Sequence, residues 1–194
     1  MIDVVGFAAD CRLWGRLDLG AGRLTDLLNV STSLRLVDVR LESLADGHAL
    51  DLPELDLDCD ELLAVVAGGP RGDPSRRLGT RSMRVSVETP PYWIRGDIHS
   101  TPASDPITST IRRSRWVPLT DATLSYVLVA EPTEYQAAVL IVNRARALSI
   151  KAVIEILPPL PGEVARERVA PGLQTPDIAP AVSAGAPHGP SPGP

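Results

Sequence analysis

Aromatic residues are scarce in this chain of 194: three Trp, three Tyr and one Phe make up 4% of it. Val, Leu, Ile and Ala must therefore fill any core, and an apolar content of 44% allows one. Cysteine is scarcer still. Cys11 and Cys59 show neither a CxxC nor a metal-ligand spacing, which predicts reduced thiols. The three histidines, His48, His99 and His188, have no His or Cys at metal spacing. No apolar run nears the ~20 residues that span a bilayer. The first residues have no basic n-region and too short an apolar run for a signal peptide, so a cytoplasmic protein is expected. The patterns GxSxG, HExxH and GxxxxGK are absent as well. With no nucleophile–base pair and no metal set in view, the expectation is a non-enzymatic protein without a cofactor.

Positive charge is not in excess overall, since the net charge is −5. That balance does not suit a general nucleic-acid binder. Its distribution is uneven. Residues 1–72 hold 6 basic and 13 acidic groups, net −7, and residues 76–157 hold 11 and 7, net +4. An acidic region of one copy facing a basic region of a neighbour is one consequence such a split permits.

What is present is a repeated pattern. Cys11 to Leu19 (CRLWGRLDL) aligns with Tyr92 to Ser100 (YWIRGDIHS) at an offset of 81. Leu13, Gly15 and Leu17 fall on Ile94, Gly96 and Ile98, with polar or exposed types between them, as in a half-buried strand. A glycine at mid-strand in both copies, Gly15 and Gly96, predicts a bulge or sharp bend. The offset grows to 83 for Leu34 to Leu41 against Val117 to Leu124, which brings Asp38 onto Asp121. An aspartate amid apolar residues needs partners, so backbone N–H groups at a bend are expected to hold both. The offset is 85 for the last two strands, where Asp58 falls on Asn143. Both are expected to stabilise tight turns through their own side chains. The shifts fall at loops, which preserves strand phase inside each element.

Between these strands lie two short helices. Leu24, Leu27 and Leu28 share one helical face. Asp105-Pro106 is a start signal, an N-cap followed by a residue that loses nothing at the first helical position. Leading strands are expected over Ile2 to Ala8 and Met83 to Glu88. The fold class is thus mainly β: two tandem small barrels of the SH3 or Sm type, or rolled sheets, each with one short helix. The modules span 1–67 and 81–157, with a Gly/Pro-rich linker over 68–80. Residues 158–194 hold 10 of the 19 prolines and no apolar periodicity, which predicts a disordered tail.

Two arginine groups are candidate binding residues. Arg77 and Arg81 have the RxxxR spacing with which PilZ-type barrels hold cyclic di-GMP, since the guanidinium fork takes phosphate and its plane stacks on bases. The companion D/NxSxxG motif of that family is missing from Arg95 to Ser100. Arg112, Arg113 and Arg115 form the second group. Were both on one face, single-stranded nucleic acid could track them with Trp93 or Trp116 as stacking platforms.

The pieces Gly15-Arg-Leu17, Arg23 to Asn29 (RLTDLLN), Val117 to Leu124 (VPLTDATL) and Val139 to Arg144 (VLIVNR) together resemble a bacterial family of uncharacterised small β-barrel domains. The resemblance covers about 150 residues, with the family's pieces divided between the two copies. It implies a fold and no activity. By elimination, the expected function is a scaffold or adaptor acting through protein–protein contact or self-association. A regulatory module that binds a nucleotide or single-stranded nucleic acid is the alternative.

Overall fold

Alternation of apolar and polar residues becomes strand wherever it persists. The structure, a computed structural model, describes residues 1–20, 22–68, 80–111 and 114–153. In the first half, β1 (Ile2–Ala8) and β2 (Cys11–Leu17) precede a seven-residue helix, α1 (Leu24–Val30). Then come β3 (Ser33–Ser43), β4 (Ala49–Asp58) and β5 (Leu62–Ala67). The second half runs β6 (Arg81–Thr89), β7 (Tyr92–Ser100), α2 (Pro106–Ile111), β8 (Trp116–Leu128), β9 (Glu131–Asn143) and β10 (Ser149–Ala152). All ten strands form one antiparallel sheet in the order β10-β6-β7-β8-β9-β5-β1-β2-β3-β4. The described residues make one compact unit. The fold is mainly β. Most of the linker and the whole of the Pro-rich tail lie outside the described residues.

Pairing register recurs between the halves. Val4 faces Gly15 as Val85 faces Gly96, and Leu34 faces Leu57 as Val117 faces Val142. Gly6 faces Val65 as Val87 faces Ile150. The β2–β3 ladder shifts between Trp14 and Arg16, and the β7–β8 ladder between Arg95 and Asp97. Each shift brackets the expected glycine.

The glycines explain the bulge. A Cβ at Gly15 would lie 3.3 Å from Val39 Cγ2 and 3.4 Å from Leu36 Cβ. At Gly96 it would lie 2.9 Å from Leu119 Cβ and 3.1 Å from Ala122 Cβ. The surroundings match, but the second is tighter, and Cβ atoms cannot swing aside as a side-chain end can. Gly96→Ala is therefore expected to cost about 1–3 kcal/mol through overpacking. Gly15→Ala is expected to be nearly neutral, since a small clash offsets about 0.4–1 kcal/mol gained from a less flexible unfolded chain. Urea unfolding midpoints of the two variants check this.

Asp38 and Asp121 oppose these bulges. Both have positive φ, 51° and 47°, a left-handed conformation that aspartate tolerates better than most L-residues. Both are exposed, so the expected buried carboxylate does not arise. Asp38 pairs with Arg16 on the neighbouring strand. The aspartates are there for backbone shape.

The helices follow their sequence signals. Leu24 and Leu28 of α1 are buried. Asp105 Oδ2 accepts the N–H of Thr108 at 2.7 Å, capping α2 behind Pro106. Hydrogen bonding from the Thr108 side chain, then from its backbone N–H, holds the Asp105 carboxyl below its usual pKa. The two turn residues also act as expected. Asp58 accepts the N–H of Asp60 at 2.7 Å and Asn143 that of Ala145 at 3.2 Å, each opening a 3-10 turn.

Two apolar clusters sit in the sheet, and each borrows from the other half. The first holds Leu13, Leu17, Leu36 and Val65 together with Trp116 and Ile141 from β8 and β9. The second holds Val85, Ile94, Ile98 and Leu119 together with Phe7, Leu44 and Ala64 from the first half. No helix among the described residues is long and apolar enough to cross a membrane.

Candidate functional site

Of the two arginine groups, only Arg81 and Arg115 are among the described residues. Arg76, Arg77, Arg112 and Arg113 lie outside the described residues. Arg81 is exposed at the start of β6. Arg84 is paired with Asp97, and Arg115 with Asp60 of the first half. Of the two proposed stacking platforms, Trp93 is 54% exposed, but Trp116 is fully buried and cannot offer a face to a base.

Other chemistry is equally thin. No group of three or more potential metal-ligating residues is found among the described residues. Asp51 to Glu61, an acidic stretch, spans most of β4 and the 3-10 turn Cys59–Glu61. Cys11 and Cys59 are unbonded to each other. Burial, followed by the nearby Asp10 carboxylate, pushes the Cys11 thiol up to about 11, well away from the thiolate a nucleophile needs. A cleft of about 310 Å³ lies between α1, β2 and β3, lined by Leu27, Leu34, Val37, Arg16 and Arg35. Its two arginines are already paired, with Asp38 and Glu54.

Several polar side chains bond across the joint between the halves. Tyr92 Oη donates to the carbonyl of Ala8 at 2.7 Å. Burial raises the Tyr92 pKa, so the phenol stays protonated as a donor. Asn143 Nδ2 donates to the carbonyl of Leu62 at 3.0 Å. Asn29 of α1 receives the N–H of Trp116 at 3.0 Å and donates to its carbonyl at 3.3 Å. Arg12 donates to Tyr126 Oη at 2.8 Å and to Glu42. Burial opposes the Arg12 charge, but those two hydrogen bonds outweigh it and raise its pKa. The sequence marked Asn143 as a turn former and missed its second bond, which crosses 81 residues.

The joint itself is a strand pairing. β5 lies antiparallel to β9 through Ala64↔Val142, Val65↔Ile141 and Val66↔Leu140. At the two ends of the sheet, β4 and β10 each have one side without a strand partner among the described residues. β4 is long and acidic, with Asp51, Glu54, Asp56 and Asp58 all exposed. β10 is short and carries Lys151. Unpaired backbone along an edge strand is a template for another strand. No family model, curated protein or solved structure matches this chain. The two sheet edges, defined by geometry alone, are the candidate functional site.

Proposed function

We propose that this protein is a non-enzymatic scaffold or adaptor that associates through its sheet edges. On this proposal the chain is a tandem duplication of one five-stranded, barrel-type unit, akin to the bacterial small-barrel family named above, and works in the cytoplasm. The single observation that carries it is the β5–β9 pairing. The last strand of one unit adds to the fourth strand of the next, which is strand addition of the kind used in many protein–protein contacts. The strands in those same positions, β10 and β4, are the ones left at the edges. The recurrent registers and the matched surroundings of Gly15 and Gly96 support the duplication.

Light scattering on the full chain over a concentration series tests association. The expected result is a mass that climbs above the single-chain 20.7 kDa and falls back on dilution. A single-chain mass throughout removes the proposal.

A further inference from the structure

We infer that the partner is a second copy of this chain, added head to tail, with β10 of one copy antiparallel to β4 of the next. This deepens the association proposed above and rests on it. The template lies inside the chain. Transferring the β5–β9 register by the recurrent offset of 85 gives Ser149↔Leu57, Ile150↔Asp56 and Lys151↔Leu55 as the outer register. Three ladder pairs form the inner joint, and three are available at the outer one.

Residue types change between the inner and outer joints in a matched way. Ile141 and Cys59 share one buried cluster at the inner joint. Their counterparts are Asp56 and Arg144. Two apolar members of one cluster inside the chain thus correspond to an acid and a base at the outer joint. Arg144 already stands beside Val87, Ile98 and Ile150, at the rim of a small apolar hollow by β10. Val66 is likewise replaced by Lys151 and Ala64 by Ser149. The inner joint has its own precedent for this sign of pairing, since Asp60 of the first half meets Arg115 of the second.

Charges at a strand contact carry a desolvation cost that apolar side chains do not. The outer joint is therefore weaker than the inner one, reversible and sensitive to salt. Pro53 lacks a backbone N–H and limits the extent of pairing along β4, but it lies outside the Leu55 to Leu57 segment that the register uses. The two edges differ, so the contact is heterologous: copies line up instead of closing on a two-fold axis.

Charge reversal on the full chain tests this. Asp56→Arg alters only the acceptor edge, and Arg144→Glu only the donor edge. Each variant alone is expected to associate at least about tenfold more weakly than the unaltered chain. Mixed together, they are expected to regain association, because each edge again meets its opposite sign. Raising ionic strength about tenfold should shrink both the loss and the rescue. Arg144 Nε also donates to the Ser114 carbonyl at 3.1 Å, so Lys151→Glu is made in parallel as a donor-edge variant that leaves this bond in place. The head-to-tail register is overturned if the unaltered chain associates while donor-edge variants associate equally well, or while the mixture shows no rescue. An unaltered chain that never exceeds the single-chain mass instead removes the association proposal, so the two failures are told apart.

Discussion

Trp116→Ala is expected to lower stability by about 3–5 kcal/mol, the range for truncating a large buried aromatic. Trp116 belongs to β8, yet its ring is fully buried in the cluster built by the first half. Its backbone is held in place by Asn29 on both sides of the peptide. Removing the ring leaves a hole between α1 and the strands below it, and α1 has only two turns and no side-chain N-cap to sustain it. Such a helix persists only while docked. Urea denaturation followed by far-ultraviolet circular dichroism measures the loss. One cooperative transition at a lower midpoint is expected. Two separated transitions would show that the halves unfold independently and that the shared tryptophan does not couple them. Trp116→Phe should cost less, since it keeps much of the volume.

Phe7→Ala is the mirror experiment, also expected to cost about 3–5 kcal/mol. Phe7 is fully buried and belongs to β1, but it packs in the second half's cluster. It makes edge contacts with Tyr92, Tyr126 and Tyr135 at centroid distances of 5.6, 6.2 and 5.4 Å. The chain has one Phe and three Tyr, and all four meet here. Aromatic pairs contribute about 0.5–1.5 kcal/mol each beyond area burial, which puts this substitution toward the upper end of its range. The Tyr92 hydroxyl bond to Ala8, one residue away, is expected to loosen with it. A thermal melt compared with Trp116→Ala checks the ranking. A drop of less than about 1 kcal/mol would mean that the tyrosines close over the gap.

Much of the fold is legible in the alternation. Leu13, Gly15 and Leu17, set against Ile94, Gly96 and Ile98, locate a strand and its bulge in each half, and Asp105-Pro106 locates a helix start. Pairing along one half is a local matter, with short turns between neighbours. The joint is not local. Val65 and Ile141 are 76 residues apart, and nothing in the neighbourhood of either names the other. The signal that was available is asymmetry between copies. Phe7 stands where the second half has Glu88, Val5 where it has Ser86, and Ile141 where the first half has Asp56. An outward position that is apolar in one copy and polar in the other marks the side that gets covered. Asp38 and Asp121 misled for a different reason. Their chemistry suggested a carboxylate with work to do, while their use is the φ angle that aspartate accepts. Trp116 misled because an aromatic beside three arginines suggests stacking, and its burial depends on a strand from the other half.

The exchange of Phe7 and Trp116 between clusters sets a schedule for synthesis. A nascent chain stopped after β5 has every strand of its first half but lacks the ring that closes the apolar mouth beside α1. That mouth stays open while roughly 50 more residues leave the ribosome, and the second half in turn waits for nothing, since Phe7 was made first. Maturation is therefore staggered in time: the part translated earliest becomes watertight only after β8 and β9 of the second half have been made.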